Sequence, residues 1–406
     1  MSVDTNDGTL SVAVDTSGRN TYNFAERAAY IAHVRSQLRL ADNEPTPGGP
    51  WTVEIMPTWR CNANCTHCSY RYANKAAIER ARTISPGNLL SLVDLPRDTV
   101  FKLLEDLKSG GMTRGTYWAG GGEPMVWPHI VEALGFASTF AQNFVQTNGI
   151  RLDKLTKDPR NLQSVNLLSI SCSGDTRELF HDTEQVDKFD RVVENIRNII
   201  ALREQYNPDL VINVKLLVNR KNYMFTPRMV KFFESLGVDT VGLRLVQDYN
   251  YGDGKGQQSV ELQFQEKAEL FHMLSTDYSS HPLLTRFATT LMQQTKPVQR
   301  TRACYNAVHS HFAAIDPDGE VYLGNPEIDM KNLSIGNIRT NSWSHIWSSS
   351  KHREVIEQMN RTERDSTCPI DLCRHANANL GAEEFIDGVR AAPKLADIDP
   401  RYSSFM

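Results

Sequence analysis

The amino-acid sequence predicts an α/β protein, a partial (β/α)6 TIM-like barrel followed by a smaller C-terminal domain of a β-hairpin plus helices. First, six short apolar segments alternate with amphipathic segments between residues 51 and 250, and this alternation favours parallel strands joined by right-handed crossovers. Second, the alternation stops after residue 250, where two helical stretches and a hairpin-like segment follow. We therefore expect reactive groups at the C-terminal ends of the barrel strands.

The composition is that of a folded protein and excludes several classes of function. Of the 406 residues, 40% are hydrophobic and 23% are charged, which suffices for a sizeable core. The 44 Lys+Arg and 48 Asp+Glu residues give a formal net charge of -4 without a basic stripe, which argues against a nucleic-acid partner. Apolar stretches are far shorter than the ~20 residues of a membrane span, and the first residues show no signal-peptide pattern. These features predict a cytoplasmic protein without a membrane partner.

The sequence predicts an N-terminal leader over residues 1–50. Residues 1–23 are rich in Thr, Ser, Asn and Asp, and we expect them to be loosely ordered. Residues 24–40 carry apolar side chains at helical spacing, which predicts one amphipathic helix. The Pro- and Gly-rich segment 45–50 then ends the leader as a linker.

The predicted barrel domain covers residues 51–250. Its strands are short runs rich in Val, Ile and Leu, and its helices have apolar residues three or four positions apart. Segment 71–95 is interpreted as a long insertion. The strands are predicted at 52–56, 115–119, 143–147, 165–171, 211–218 and 240–246, and the helices at 97–108, 131–140, 189–202 and 229–236.

Beyond the barrel, residues 251–295 are predicted to form a helical connector. A smaller domain follows over residues 296–382, and residues 383–406 are predicted to be a tail. The Asp-Pro-Asp-Gly sequence at 316–319 favours a hairpin turn in the smaller domain. Helices are predicted at 261–275, 282–294 and 343–359.

Seven cysteines are the main clue to function. Their odd number, their uneven spacing and the lack of an export signal argue against a disulfide framework. Clustered thiols in a reducing compartment are more often metal ligands. The cysteines divide into a first group of three, a single residue and a second group of three: Cys61, Cys65 and Cys68; Cys172; Cys304, Cys368 and Cys373.

The first group follows the first barrel strand directly. Thiolates at Cys61, Cys65 and Cys68 can surround one small object. A four-iron cluster held by three cysteines keeps one iron free of protein ligands, so that an amino acid can chelate it. Zinc is the alternative, although zinc usually takes four ligands and His67 is badly placed to be the fourth. Redox-active thiols are a further alternative.

A glycine-rich segment follows the second barrel strand. Gly120, Gly121 and Gly122 expose backbone groups that can bind the ammonium group of an amino acid, and Glu123 adds a carboxylate acceptor. Such a segment is weak evidence alone, since many glycine runs are simple turns. Its position one strand after the cysteine motif strengthens the iron-cluster interpretation.

The two motifs together resemble those of the radical S-adenosylmethionine (radical SAM) enzyme superfamily. The resemblance covers about residues 51–250 and rests on the three-cysteine motif and on the Gly-Gly-Glu-Pro motif at 121–124. Weaker similarities lie after the third strand and on the fourth and sixth strands. The cofactor-binding residues implied by the resemblance are His67, Gly121, Gly122, Glu123, Pro124, Asn148, Ser169, Ser171 and Arg244.

The resemblance implies a [4Fe-4S] cluster on the first three cysteines, with S-adenosylmethionine chelating the open iron. The reduced cluster passes one electron to the sulfonium. Methionine leaves, and the resulting 5′-deoxyadenosyl radical removes a hydrogen atom from a C–H bond. An electron donor such as flavodoxin or ferredoxin is an implied partner. The protein orients the radical and excludes competing reactions.

The second group of cysteines resembles the twitch or SPASM extensions of the same superfamily, which carry auxiliary iron–sulfur clusters. Cys304 precedes the predicted hairpin, whereas Cys368 and Cys373 follow the last predicted helix. The family often has a cysteine shortly after the hairpin glycine, where this chain has Gly324. We predict an auxiliary cluster on Cys304, Cys368 and Cys373. The alternative is three ordinary buried thiols.

Cys172 lies at the C-terminal end of the fourth strand, where barrel enzymes place reactive groups. A thiol there could return a hydrogen atom to a substrate radical from the opposite face, which would make the overall reaction an epimerisation. The alternative is a small hydrophobic residue that fills the end of the strand.

Three functions remain open. The first is a radical SAM enzyme that acts on a small polar metabolite, such as a sugar, an aminocyclitol or a nucleoside, by epimerisation or dehydrogenation. The second is a peptide-modifying maturase of the same superfamily, for whose precursor-binding domain a 50-residue leader is short. The third is a non-catalytic iron–sulfur or zinc protein that binds a nucleotide or senses redox state.

Overall fold

The structure is a computed structural model, and it describes residues 11–15, 35, 39, 44–84, 92–246, 260–293, 301–308, 310–324, 333–360 and 376–389. These residues form a single ten-stranded sheet covered by helices. Of the predicted leader helix at 24–40, only residues 35 and 39 belong to the described part of the chain.

The sheet is open and mostly parallel. Its strand order is β1-β7-β6-β5-β4-β3-β2-β8-β9-β10. The strands are β1 Ser11–Asp15, β2 Thr52–Ile55, β3 Gly115–Trp118, β4 Gln142–Thr147, β5 Leu167–Ser171, β6 Val211–Val218, β7 Thr240–Leu245, β8 Phe312–Ile315, β9 Glu320–Tyr322 and β10 Ser334–Asn337.

Six neighbouring strands, β2 to β7, pair in parallel and confirm the predicted partial barrel. Strand β1 adds to β7 in the antiparallel direction. The expectation that residues 1–23 are loosely ordered is therefore wrong at Ser11–Asp15, which form a paired strand. In that short sequence, Val12 and Val14 alternate with the small residues Ser11 and Ala13 and with Asp15, and such alternation suits pairing at the edge of a sheet.

The C-terminal hairpin continues the same sheet. Strand β8 pairs in parallel with β2, and β9 and β10 follow in antiparallel order. The predicted turn at 316–319 joins β8 to β9, where Gly319 has a positive φ of 90° and donates its N–H to the carbonyl of Asp316 at 2.9 Å. The smaller domain therefore lies directly against the first barrel strand.

Thirteen α-helices lie in the described part of the chain. Their bounds are α1 Arg71–Ile84, α2 Arg97–Gly110, α3 Ile130–Ala137, α4 Asp153–Thr156, α5 Arg177–Glu184, α6 Phe189–Tyr206, α7 Thr226–Ser235, α8 Phe264–Asp277, α9 Pro282–Gln293, α10 Tyr305–Val308, α11 Trp343–Trp347, α12 Ser350–Asn360 and α13 Ala376–Ile386. The connector helices α8 and α9 match the prediction. Helix α1 lies in the segment interpreted as an insertion, and α13 crosses the predicted boundary between residues 382 and 383.

The core has two layers because the parallel strands are buried on both faces. Helix α2 shows how the outer layer forms. Its buried residues Val100, Leu103, Leu104 and Leu107 recur at helical spacing and face the sheet, and the helix ends where Gly111 takes a φ of 71°. The inner layer fills the barrel with a smaller group that includes Met56, Tyr117, Phe144 and Leu167. The carboxyl ends of the strands above that layer frame a cavity.

Candidate active site

The cysteine motif lies on the loop after β2. Cys61, Cys65 and Cys68 all line one cavity of about 210 Å³ at the carboxyl end of the sheet. The loop is anchored on the end of α5, because the N–H groups of Asn64 and Thr66 donate to the carbonyls of Glu184 at 3.2 Å and Thr183 at 2.9 Å. The structure thus brings the three predicted cluster ligands to one side of the site.

The glycine segment after β3 packs against the backbone that leads into the cysteine loop. Gly122 donates its N–H to the carbonyl of Thr58 at 2.7 Å, and Glu123 donates its N–H to the carbonyl of Arg60 at 2.8 Å. A Cβ added to Gly122 would lie 2.0 Å from the carbonyl oxygen of Arg60. Gly121 has a positive φ of 61°. A side chain is therefore sterically excluded at Gly122, and Gly121 adopts a backbone conformation that favours glycine.

Glu123 fixes the ends of two neighbouring strands. Its buried carboxylate accepts the hydroxyl of Thr147 at 2.7 Å, the N–H of Asn148 at 2.7 Å and the N–H of Met125 at 3.0 Å. Burial raises the pKa of this carboxyl, and the hydrogen bonds oppose that rise. A carboxylate has about four lone-pair sites, so Glu123 can still accept a further donor such as an ammonium group.

Three more predicted cofactor-binding residues line the same cavity: Asn148, Ser171 and Arg244. The amide of Asn148 donates to Oδ1 of Asn62 at 2.7 Å and lies 3.9 Å from the Cys61 sulfur, which joins the end of β4 to the cysteine loop. Pro124 also lines the cavity.

Ser169 does not share the cavity. It lies two residues deeper in β5, is buried, and its hydroxyl donates to Oδ1 of Asn213 at 3.2 Å. The prediction that Ser169 contacts the cofactor is not supported. Strand alternation places the side chains of Ser169 and Ser171 on the same face of the sheet, but it does not determine how far each lies from the end of the strand.

The electrostatics of Cys61 and Cys65 favour a cationic occupant. Desolvation by the surrounding protein raises the pKa of the Cys61 thiol to about 12, and the negative charge of the Glu123 carboxylate adds to the rise. Burial and then the Glu184 carboxylate raise the pKa of Cys65. Thiols with such pKa values become thiolates only beside positive charge, which the irons of a cluster supply. Three sulfur donors around one cavity therefore fit a cluster held by three cysteines.

His67 lines the same cavity, and its imidazole lies beside Cys65 and Glu184. Its Nε2 lies 3.8 Å from Oε2 of Glu184, and the same oxygen accepts the thiol of Cys65 at 2.6 Å. Cys65, His67 and Glu184 could together hold a single metal ion. That ion would use the sulfur of Cys65, so the two arrangements exclude each other.

A polar floor inside the barrel was missed by the sequence reasoning. Glu54 of β2, Tyr117 of β3, Gln146 of β4 and Lys215 of β6 line the cavity below the cysteine loop. Oε1 of Gln146 accepts the hydroxyl of Tyr117 at 2.6 Å and the ammonium of Lys215 at 3.3 Å. The sequence did contain an indication of this floor. Glu54 and Lys215 are charged residues within strands predicted to be buried on both faces, where charged side chains are rare unless they are paired.

Cys172 lies outside the cavity. It is fully buried in the outer layer of the core, and its sulfur lies 3.6 Å from the carbonyl of Gly174. Burial raises the pKa of this thiol. The structure does not support the predicted catalytic role, because a hydrogen-atom donor needs access to the substrate. The alternative interpretation as a small hydrophobic residue agrees with its position.

Of the second cysteine group, the structure describes only Cys304. This residue is buried at the start of α10, its N–H donates to Oδ1 of Asn360 at 3.2 Å, and its sulfur lies 3.9 Å from the amide of Asn379. Cys368 and Cys373 lie outside the described residues. The ligation of an auxiliary cluster by all three cysteines stays a prediction.

Sequence comparison decides the family. Residues 55–210 match the Radical SAM superfamily, and residues 304–375 match an iron–sulfur cluster-binding domain named SPASM. The chain belongs to the radical SAM superfamily. This membership confirms the predicted SAM-binding [4Fe-4S] cluster, S-adenosylmethionine and an auxiliary iron–sulfur centre as the cofactors of the chain.

Among curated proteins, this radical SAM chain is similar to "Probable GTP 3',8-cyclase" of Saccharolobus islandicus. The two are 29% identical over 139 residues, which are 33% of this chain and 42% of the relative. The chain thus spans about two-fifths of the curated relative that it matches.

Solved radical SAM structures share the fold. "Native anSMEcpe with bound AdoMet" has a TM-score of 0.52 at 17% identity and covers 83% of this chain and 96% of that chain. "Streptococcus suis SuiB bound to precursor peptide SuiA" has a TM-score of 0.53 at 11% identity and covers 85% of this chain and 73% of that chain. At these identities the likeness establishes the fold. Within the described ranges, none of the helices combines the length and the apolar character that crossing a membrane requires.

Proposed function

We propose that this radical SAM protein is an enzyme that cleaves S-adenosylmethionine reductively and abstracts a hydrogen atom from a small polar substrate. The observation that carries the proposal is the shared cavity. Its rim holds the cysteine loop and the glycine segment, and its floor holds the charged residues Glu54 and Lys215.

When bound, the [4Fe-4S] cluster supplies the electron that splits S-adenosylmethionine into methionine and the hydrogen-abstracting 5′-deoxyadenosyl radical, and the auxiliary cluster supplies a one-electron acceptor. Cys61, Cys65 and Cys68 would hold the first cluster. The backbone of Gly121 and the carboxylate of Glu123 would orient the methionyl ammonium. The hydrogen bonds that join the glycine segment to the entrance of the cysteine loop support this assignment.

The floor favours a polar substrate. A cation, a carboxylate, a phenol and an amide close the inner end of the cavity, and such groups bind hydroxyl, ammonium or anionic groups through hydrogen bonds in a low-dielectric setting. An apolar substrate group gains no such bonds there. Sugars, aminocyclitols and nucleosides carry the required groups. The relative named as a GTP 3',8-cyclase is named for a nucleotide, which agrees with this substrate class.

Dehydrogenation is the outcome that we favour over epimerisation. Epimerisation requires a hydrogen donor on the face opposite to the radical, and the donor predicted from the sequence, Cys172, is buried behind the sheet. Dehydrogenation removes the abstracted hydrogen atom, then one proton and one further electron, and an iron–sulfur centre is a suitable acceptor for that electron.

A peptide-modifying maturase is the second candidate. The match to SuiB in complex with its precursor peptide covers 85% of this chain, and SuiB is thus a protein of related fold that binds a peptide. A peptide would present one residue to the cavity, so the polar floor would then select a polar side chain. The two candidates differ in the size of the molecule that delivers the hydrogen atom.

Substrate-dependent formation of 5′-deoxyadenosine tests the proposal. The protein is reconstituted anaerobically, reduced with dithionite and incubated with S-adenosylmethionine and deuterated sugars, aminocyclitols, nucleosides or peptides. We expect deuterium in 5′-deoxyadenosine with a small polar compound and a product that is two hydrogens lighter. Deuterium transfer only from peptides would support the second candidate.

The floor provides a more specific test at Lys215. The variant Lys215→Met should keep the slow cleavage of S-adenosylmethionine that occurs without substrate and should lose most of the substrate-dependent cleavage. Lys154→Met is the matched control, because the ammonium of Lys154 donates to the carbonyl of Trp127 at 2.9 Å and does not line the cavity. Equal substrate dependence in the two variants would contradict a substrate-binding floor.

A further inference from the structure

The turn of the C-terminal hairpin touches the glycine segment of the barrel. A Cβ added to Gly121 would lie 2.9 Å from Cγ of Pro317, which follows β8. Next to it, Oδ1 of Asp318 accepts the indole N–H of Trp59 at 3.0 Å, and Trp59 lies two residues before Cys61. The extension therefore packs against the glycine segment, to which we assign the binding of S-adenosylmethionine.

Arg339 joins this hairpin turn to the barrel. Its Nη2 donates to the carbonyl of Pro317 at 2.8 Å and to the carbonyl of Asp94 at 2.8 Å. Its backbone N–H donates to Oδ1 of Asn337 at 2.8 Å, which holds the residue at the end of β10. One guanidinium nitrogen thus bridges two segments 223 residues apart in sequence, from Asp94 to Pro317.

Asp94 continues the connection to the glycine segment. Its buried carboxylate accepts Nε of Arg60 at 2.9 Å, Nη2 of Arg60 at 2.6 Å and the hydroxyl of Thr58 at 2.6 Å. The carbonyls of Arg60 and Thr58 are the acceptors for the N–H groups of Glu123 and Gly122. The bidentate pairing fixes the direction of the backbone that receives the glycine segment.

We propose that Arg339 is a positioning residue for S-adenosylmethionine, acting through Asp94 and Arg60 on the glycine segment. This inference rests on the proposed function, in which that segment binds the methionyl group. It gives the extension a role in the barrel site in addition to carrying an auxiliary cluster. The contacts require no movement, because the hairpin already lies against the segment.

Removal of the guanidinium should weaken cofactor binding more than it weakens the fold. Without Arg339, the turn at Pro317 and the backbone at Asp94 lose a common donor, while the cysteine loop keeps its bonds to the end of α5. A hydrogen bond from a charged group is worth about ten-fold in an equilibrium constant or somewhat more. We expect Arg339→Ala to weaken S-adenosylmethionine binding about ten-fold and to leave the cluster content unchanged.

The test uses the full-length, reconstituted protein with both clusters. Binding of S-adenosylmethionine is titrated by the change that it causes in the electron paramagnetic resonance spectrum of the reduced protein. Arg339→Ala, Arg339→Lys and the control Arg302→Ala are compared at equal iron content. Arg302 is an exposed arginine that pairs with Glu383 of α13, and within the described residues it makes no contact with the hairpin turn.

The expected order of affinity is wild type and Arg302→Ala together, then Arg339→Lys, then Arg339→Ala. Lysine retains a charge and can donate to both carbonyls without the planar geometry, so partial rescue is expected. If Arg339→Ala does not assemble its clusters, Arg339→Gln decides: several-fold weaker binding supports the inference. Wild-type binding in Arg339→Ala or Arg339→Gln overturns it. A wild-type spectrum that does not respond to S-adenosylmethionine contradicts instead the proposed function.

Discussion

The glycine segment gives the sharpest prediction, the variant Gly122→Ala. A Cβ at this position would lie 2.0 Å from the carbonyl oxygen of Arg60, whereas ordinary contacts begin at 3.4 Å. Backbone faces the new methyl group, so no flexible side chain can move aside. The segment must retreat by about 1.4 Å to restore ordinary contact, and a displacement of about 1 Å can already cost about 100-fold in rate. Overpacking should also destabilise the fold by about 1–3 kcal/mol.

Formation of 5′-deoxyadenosine and thermal unfolding measure the two effects separately. Gly122→Ala should retain its iron, lower the rate of 5′-deoxyadenosine formation about 100-fold and unfold at a lower temperature. Gly135→Ala is the matched control, because the nearest atom to its added Cβ is Oγ of Ser164 at 3.9 Å. Gly135 lies inside α3, where alanine should stabilise the helix by about 0.5–1 kcal/mol. Wild-type turnover in Gly122→Ala would refute the reasoning.

Three further predictions concern residues outside the glycine segment. Burial and the neighbouring Asp318 raise the pKa of Asp316 to about 7. The free energy of unfolding of the wild type therefore falls as the pH rises from about 4 to 7, because the unfolded chain releases this proton more readily. The free energy of unfolding of Asp316→Asn, measured by denaturation, should increase relative to that of the wild type across this pH range, by about 4 kcal/mol at most. A difference between the two proteins that shrinks as the pH rises would contradict this. Cys172→Ala should lose about 1 kcal/mol of stability and keep its rate of 5′-deoxyadenosine formation; a large loss of rate at unchanged stability would restore a catalytic role. Cys304→Ala should lower the iron content by about four per chain, and an unchanged content would show that Cys304 holds no cluster.

Much of the fold was predictable because the chain contains short apolar runs separated by helical patterns. The six barrel strands and the connector helices appear close to their predicted positions. Helix α1 was missed because it buries small residues, such as Ala77 and Ala81, in place of a stripe of large apolar residues. Strand β1 was missed because pairing with β7, the last strand of the barrel, and not apolar content, selects its structure.

The rim of the site was predictable, whereas its floor and supports were not. Local motifs place the cysteines and the glycines, since each motif is contiguous in sequence. Glu184 contacts Cys65 from 119 positions away, and Arg339 contacts Asp94 from 245 positions away. Such pairs depend on how the strands are ordered in the sheet, which no local pattern encodes. The depth at which a residue is buried likewise depends on the tertiary structure. For this reason the sequence does not distinguish Ser169, which is buried below the cavity, from Ser171, which lines it.

Reductive cleavage of S-adenosylmethionine by the cysteine motif is the central claim, and one comparison tests it most directly. Wild type and the triple variant of Cys61, Cys65 and Cys68 to alanine are reconstituted anaerobically, reduced with dithionite and assayed for 5′-deoxyadenosine and methionine. We predict equal amounts of both products from wild type and neither from the variant, which should keep the iron of its extension. Products from the variant at the wild-type rate, or none from a wild type whose clusters are confirmed, would contradict the account.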